Sequence, residues 1–381
     1  MAAATSSGGV SNELTGKLIL DGTKIGWYKD RVEAWARGER VAPITIDMAL
    51  TRSCNYACGF CYAMLQENDR QVITAEVMDG FLADCAEIGV KGISFVSDGE
   101  STLSPAYLHS VKKGHALGLA MATGTNAYIY NRRKLEELLP CMTYLRVNFS
   151  AGEPERYAQI MGVSTDHFHR VVQNVKTMME LKRRDNLPVT IGLQMVLMPQ
   201  DADQILPFAR LGKELRVDYA VIKHCSDDED GSLGVDYGAY ERLYALLREA
   251  EALSDDEYKC VVKWSKIAAK GKRSYQRCYG PPFLIQLSGS GLVAPCGMLF
   301  NERYKKFHIG NIVEQRFKEI WSSERYWEVM NYLASPQFNA QTMCGTLCLQ
   351  HKVNEHLDAY KKGQVELRLP DGPMPQHIQF V

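Results

Sequence analysis

Cys54, Cys58 and Cys61 fall within a single eight-residue run, Cys54-Asn-Tyr-Ala-Cys58-Gly-Phe-Cys61. Three thiolates in so short a loop can ligate three irons of a [4Fe-4S] cubane, leaving the fourth iron open to another molecule. The competing readings are a zinc site, which wants a fourth Cys or His that the loop lacks, and a redox-active thiol pair. A second group lies far downstream: Cys278, then Gly291-Leu-Val-Ala-Pro-Cys296, then Cys344-Gly-Thr-Leu-Cys348. Four thiolates can close a cubane completely, and Gly291 permits the tight turn that returns a hairpin cysteine to a metal. A zinc ribbon is the alternative there. Cys85, Cys141, Cys225 and Cys260 stand alone.

The chain that must position these groups has 381 residues, 46% of them hydrophobic, enough for one large domain and a smaller one. Its formal net charge of -1 supplies no field for gathering nucleic acid or anionic lipid, so neither is an expected partner. No run approaches the roughly 20 apolar residues of a membrane span, and residues 1–9 are small and polar. The expected location is cytoplasmic. Eleven cysteines in a reducing compartment then point to metal or redox chemistry rather than to a disulfide framework.

From residue 44 onward, short apolar runs alternate with helical patterns. Strands are expected at 44–48, 92–96, 119–123, 144–149, 189–196 and 219–223, with helices at 75–88, 106–117, 132–139, 167–182 and 202–215. This alternation predicts an α/β fold with a parallel sheet, curved as a partial barrel or opened as a doubly wound sheet. In either form the reactive site lies at the carboxyl ends of the strands, and the first cysteine loop follows the first strand directly. Before the sheet, a hairpin (17–20 with 24–27, turning at Asp21-Gly22) and a helix over 31–36 are expected. The acidic turn at 227–231 and a helix over 236–252 lead out of the sheet toward a second unit that carries the later cysteines. The expected division is an N-terminal extension (1–43), a sheet domain (44–255), an auxiliary domain (256–366) and a proline-containing tail (367–381) that packs back on the sheet domain or covers its open side.

The Cys-x-x-x-Cys-x-x-Cys loop, with Phe60 before its last cysteine, resembles the signature of the radical S-adenosylmethionine superfamily. Further segments are similar in order and type. Ser97-Asp98-Gly99-Glu100 resembles the family's Gly-Gly-Glu element, with Asp98 in place of the first glycine, and Thr123-Gly-Thr-Asn126 resembles its Thr-Asn element. The fourth strand, from Tyr144 through Arg146 to Ser150, and Gln194 on the fifth match polar positions near the cofactor. The resemblance implies a partial (β/α)6 barrel in which Cys54, Cys58 and Cys61 hold the cluster. Phe60, Asp98, Gly99, Glu100, Asn126, Ser150 and Gln194 would then face S-adenosylmethionine, whose cleavage yields a 5′-deoxyadenosyl radical. The order of Cys278, Cys296, Cys344 and Cys348, with Gly310-Asn-Ile and Glu319-Ile-Trp between them, resembles a SPASM/twitch domain and implies an auxiliary [4Fe-4S] cluster.

Chemistry of this kind takes hydrogen from unactivated carbon, so selectivity becomes a matter of positioning. The expected reaction is oxidation of a carbinol carbon of a sugar, aminocyclitol or nucleoside to a ketone, similar to 2-deoxy-scyllo-inosamine dehydrogenase. Two alternatives are an epimerase, with Cys225 as hydrogen donor, and a maturase of a ribosomal peptide. An iron-sulfur protein without turnover is the non-enzymatic alternative. Cys225, Arg146, Lys223 and His224 are the candidate catalytic residues, and the family implies a flavodoxin or ferredoxin as reductant.

Overall fold

A computed structural model describes residues 18–68, 71–367 and 375–381. The polar start at 1–17, including the first residue of the expected hairpin, and the prolines within 368–374 lie outside the described residues. The organising element is a ten-stranded sheet in the order β10-β9-β8-β1-β2-β3-β4-β5-β6-β7. β1 (Thr45–Met48), β2 (Gly92–Phe95), β3 (Ala120–Thr125), β4 (Tyr144–Asn148), β5 (Thr190–Leu197), β6 (Tyr219–His224) and β7 (Lys259–Val262) run parallel, each beside its successor in the chain. Side chains from β1, β2, β4, β5 and β6 line one interior cavity, so the sheet curls into a partial barrel.

Each connecting helix is specified locally. α1 (Lys29–Ala36) precedes the sheet, and α2 (Ala75–Ile88) starts where the Thr74 side chain accepts from Val77 N–H and ends at Gly89 in a left-handed turn (φ +93°). Its Met78, Phe81, Leu82 and Cys85 recur at helical spacing and are buried. α3 (Tyr107–Ala116), α4 (Arg132–Leu138), α6 (Thr165–Arg184) and α7 (Ile205–Glu214) follow the expected positions. α5 (Pro154–Met161) was not anticipated, although Pro154 at its start and Gly162 just past its end mark a helix of eight residues.

Three expectations are corrected. Residues 22–28 form a 3-10 helix capped by the Asp21 carboxylate instead of the second arm of a hairpin, and Leu18 pairs in a bridge with Gln376 near the far end of the chain. The expected helix over 236–252 is a 3-10 turn (Ala239–Leu243) followed by α8 (Tyr244–Glu251). It does not lead out of the sheet, because β7 returns and pairs with β6 as a seventh parallel strand. After α9 (Trp264–Ala268) the chain crosses to the opposite edge, where β8 (Leu284–Leu287) pairs parallel with β1. β8, β9 (Leu292–Ala294) and β10 (Gly310–Asn311) form an antiparallel extension, with the β8–β9 turn at Gly291 (φ +85°) as its residue type predicts. α10 (Phe317–Ser322), α11 (Glu324–Ala334) and α12 (His351–Lys361) complete the chain, and Arg316 clamps this region to α2 through the fully buried Asp84 (2.5 and 3.0 Å).

The described end of the tail, 375–381, closes the floor of the barrel at the amino ends of the strands. Val381 N–H donates to Thr45 Oγ1, Thr45 Oγ1 donates to Gln379 O (2.8 Å), and Phe380 packs edge-on against Tyr144.

Candidate active site

The first cysteine loop leaves the carboxyl end of β1 and is held by α5 on one side. Ala57 N–H donates to Met161 O (3.3 Å) and Gly59 N–H to Ile160 O (3.0 Å). Gly162 (φ +65°) makes this approach accessible, since a side-chain carbon there would strike the Ala57 carbonyl. On the other side Gly99 (φ +107°) leaves room for the backbone of Thr51 and Arg52, and Glu100 N–H donates to Ser53 O (2.9 Å). Cys54 is exposed, Cys58 and Cys61 half-buried. Burial raises the pKa of Cys54 to about 11, with the Glu100 carboxylate and then Cys61 adding to it, and burial with the two neighbouring thiols pushes Cys58 up as well. Among the described residues no three such side chains form a ready-made coordination group. What fits a cluster is the donor set: three mutually repelling thiols on a braced loop, which iron would discharge as their protons leave.

Beside the loop, the Glu100 carboxylate is buried. Its Oε1 accepts from Thr102 Oγ1 (2.6 Å), Thr125 Oγ1 (2.7 Å) and Thr102 N–H (3.2 Å), and its Oε2 from Asn126 N–H (2.8 Å). Oε2 therefore keeps capacity for one more donor, such as an ammonium. Burial raises the Glu100 pKa, with these donors opposing it. Asn126 is joined to the cysteine loop through Asn55 (2.8 Å). Ser150 accepts from Val196 N–H (3.1 Å), which ties the end of β4 to β5 and leaves its own proton to donate. Phe60 packs its ring into the main core.

Below this layer lies a cavity of about 1030 Å³, counting the solvent at its mouth. Asp47 (β1), Ser94 (β2), Arg146 (β4), Gln194 (β5) and Lys223 (β6) line it, as the two-residue period of inward-facing strand positions requires. Arg146 and Lys223 make no hydrogen bond or ion pair with any described residue. Burial, then the field of Arg146, lowers the Lys223 pKa to about 7. Burial raises Asp47 to about 7, against the pull of Arg146 and a hydrogen bond from Gln286. Asp47 was missed by the sequence reading, although a lone carboxylate inside an apolar strand was the available signal. Lys266, also missed, lines the same cavity.

Cys278, Cys296, Cys344 and Cys348 face a separate small cavity of about 350 Å³, walled by Leu333 and Phe338. Burial and mutual proximity raise the pKa values of Cys278 and Cys296, and burial with Cys348 pushes Cys344 up to about 11. The buried Arg273 supplies the positive charge that thiolates need, donating to Ala340 O (2.6 Å) and to Thr346 O. Asn354 Nδ2 donates to Cys278 Sγ (3.6 Å). Four thiols around one apolar cavity with cationic and amide support fit an iron-sulfur cluster. Two connections run from there to the barrel interior: Lys266 Nζ donates to Cys348 O (2.9 Å), and Gln286 joins Asp47 to Gly297 N–H, next to Cys296.

Three site expectations change. Asp98 does not face the cofactor: its carboxylate accepts from Ser288 Oγ (2.6 Å) and Gly289 N–H (2.8 Å) on the β8–β9 turn, with Arg52 Nε at 3.3 Å. His224 turns away from the cavity, its Nδ1 against Cys225 O (2.7 Å) and its ring against Tyr237, and burial lowers its pKa to about 3. Cys225 is 1% exposed, with Sγ 3.7 Å from Phe60 O, so its thiol abuts the cysteine loop and is not part of the cavity lining. Of the consecutive Lys223, His224 and Cys225, Lys223 alone lines the cavity: alternation turns His224 to the other side, and Cys225 lies past the end of β6, where the chain leaves the strand.

Comparison with known proteins agrees with this arrangement. The Radical SAM superfamily matches residues 48–211, and SPASM, the iron-sulfur cluster-binding domain, matches residues 278–348. The chain is 25% identical over 336 residues to an AdoMet-dependent heme synthase of Methanosarcina barkeri, covering 82% of this chain and 90% of that protein. It is 22% identical over 315 residues to a tungsten-containing aldehyde ferredoxin oxidoreductase cofactor-modifying protein of Pyrococcus furiosus, covering 73% and 81%. Among solved structures, SuiB of Streptococcus suis bound to S-adenosylmethionine superposes with a TM-score of 0.62 at 16% identity, over 78% of this chain and 71% of SuiB. With a three-cysteine loop after β1 and four later cysteines around one small cavity, this chain joins a radical SAM domain to a SPASM domain.

Proposed function

We propose that the chain is an oxidoreductase that converts a carbinol carbon of a small polar molecule, such as a sugar, aminocyclitol or nucleoside, to a ketone. The observation that carries this reading is the pair of connections between the polar barrel cavity and the auxiliary cysteines, through Lys266 to Cys348 and through Asp47 and Gln286 to Gly297. When bound, S-adenosylmethionine and its cluster supply a radical that removes hydrogen, and the auxiliary cluster supplies an acceptor for the second electron. Cys54, Cys58 and Cys61 hold the first cluster, and Cys278, Cys296, Cys344 and Cys348 hold the second. Glu100 receives the ammonium of the cofactor, Asn126 fixes the loop beside it, and Ser150 and Gln194 offer polar contacts on β4 and β5. In the cavity, Asp47 accepts the hydroxyl proton as the ketone forms, a task suited to a carboxylate with a pKa near 7, while Arg146 and Lys223 anchor the substrate.

Placement of Cys225 outside the cavity lining favours oxidation over inversion, since a hydrogen donor must reach the substrate carbon. The flavodoxin or ferredoxin reductant and the boundaries near residues 44 and 367 belong to the same reading, while the boundary expected near 256 moves past β7, which stays in the sheet. The test is anaerobic turnover of polyol, aminocyclitol and nucleoside panels with dithionite. One ketone per 5′-deoxyadenosine supports the reading. Inverted substrate with solvent deuterium incorporated would replace it with the epimerase.

A further inference from the structure

The barrel cavity carries an imbalance of charge that oxidation of a neutral alcohol does not require. Six of its lining residues carry basic side chains, Lys24, Arg146, Lys223, Lys263, Lys266 and Lys352, against the side-chain carboxylates of Asp21 and Asp47 and the terminal carboxylate of Val381. Arg146 on β4 and Lys223 on β6 are half-buried, and Lys24 on the 3-10 helix at 22–28 is buried. Lys263 and Lys266 follow β7, and Lys352 lies on α12. Several of these cations already have partners. Lys24 donates to His377 O (3.0 Å), Lys266 to Cys348 O (2.9 Å), and Lys352 meets Glu355 at 2.9 Å. Arg146 lies over the Tyr144 ring at 5.9 Å, and neither it nor Lys223 has a hydrogen bond or ion pair among the described residues.

A guanidinium and an amine without a hydrogen bond or ion pair, half-buried in one cavity, give up hydration that a bound counter-charge would restore, and such a charge would also favour the ammonium form of Lys223. Asp47 offsets only part of this, because burial favours its protonated form. A field of one sign focused between low-dielectric walls also draws oppositely charged small molecules inward. Resting on the radical-enzyme reading above, we propose that the substrate carries an oxyanion, a carboxylate or a phosphate, that seats between Arg146 and Lys223. The planar fork of Arg146 suits two oxygens of such a group, and Lys223 suits it as a point charge. The anion fixes one end of the molecule, so that one carbon is presented to the cofactor layer formed by Glu100 and Asn126 above.

The test uses holoenzyme reconstituted anaerobically and saturated with S-adenosylmethionine. Glycerol 3-phosphate, glycerate and glycerol are titrated by calorimetry. One site per chain is expected for at least one of the two acids, about ten-fold or more tighter than for glycerol. Preference for glycerol 3-phosphate assigns the site to phosphate, and preference for glycerate to carboxylate. Arg146→Gln and Lys223→Gln each weaken binding by about ten-fold, whereas Lys176→Gln on the outer helix α6 leaves it unchanged. Should either cavity variant lose iron, the wild-type salt dependence decides, with binding expected to weaken between about 0.05 and 0.5 M KCl. Equal binding of all three compounds, acid binding that S-adenosylmethionine abolishes, or indifference to salt overturns the proposal. Reductive cleavage of S-adenosylmethionine by the same wild-type sample is scored separately. Absent cleavage with intact anion binding overturns the radical reading alone, and the converse overturns the oxyanion site alone.

Discussion

Replacing Asp98 with alanine separates two roles that its position in the chain confuses. Its neighbours Gly99 and Glu100 brace the first cysteine loop, but its own carboxylate joins the end of β2 to the β8–β9 turn. The side chain is 5% exposed, so both hydrogen bonds are made away from water. Each hydrogen bond to a charged acceptor contributes roughly 1.5–3 kcal/mol, and its loss also leaves Gly289 N–H unpaired. Arg52 Nε, 3.3 Å away, loses its counter-charge in a buried setting. The combined cost is about 3–5 kcal/mol, the range for breaking one side of a buried charged contact. For a chain of this size that lowers the thermal midpoint by roughly 4–6 °C. Because the β8–β9 hairpin carries Cys296, iron at the auxiliary site falls as well, while affinity for S-adenosylmethionine stays within about three-fold. Asp98→Asn keeps the shape but offers one acceptor instead of two, and loses about half as much. Circular dichroism melting, iron per chain and equilibrium dialysis with S-adenosylmethionine read the three quantities. An unmoved midpoint together with a ten-fold or greater loss of cofactor affinity would refute this assignment and return Asp98 to the cofactor site.

Changing Cys54, Cys58 and Cys61 together to alanine lowers reconstituted iron from about eight per chain to about four, and a fall to zero would show that the later cysteines hold no iron-sulfur cluster. Asp47→Asn changes the pH dependence of stability. In the unfolded chain the carboxyl loses its proton near pH 4, whereas in the fold it keeps it to about 7. Wild-type stability therefore falls as pH rises through this window, by on the order of 4 kcal/mol at most. The asparagine variant lacks that fall, so its advantage in urea denaturation grows from none below pH 4 to a maximum above 7; a difference that does not vary with pH contradicts the burial argument. Deleting residues 375–381 uncovers Thr45 and Tyr144 at the barrel floor and removes the packing of Phe380, costing about 2–4 kcal/mol. Substrate turnover should fall while binding of S-adenosylmethionine persists, and unchanged melting and turnover would show the floor to be dispensable.

The parallel barrel was legible because each helix and strand announces itself over a short window. Residues 75–88 carry both a Thr cap and a terminal glycine, and the predicted bounds agree with α2. The cysteine spacing likewise announced the braced loop after β1 and the four later cysteines that share one small cavity. What sequence did not carry was long-range. β7 has only four residues, and its membership depends on pairing with β6. The parallel docking of β8 on β1 joins residues some 240 apart, and no local pattern encodes it. Asp98 looked like a cofactor contact because motif order ranks residues by neighbours in sequence, and its true partners arrive with the β8–β9 turn. The polar cavity was half visible: Arg146 and Lys223 stood on predicted strands, but Lys266 was assigned to a separate unit.

Docking of β8 against β1 also imposes an order of events during synthesis. β1 is made early and pairs with β2 on one edge, yet its other edge stays open until residues 284–287 have been translated. At about 5–20 residues per second this leaves an unpaired edge on the nascent chain for roughly 10–50 seconds. An edge of that kind invites pairing with other chains. Iron delivered to the first cysteine loop within that interval would meet a site whose β8-side support, the contact of Asp98 with Ser288 and Gly289, does not yet exist. Cellular yield of active protein should therefore depend on chaperone supply more than the stability of the finished barrel suggests.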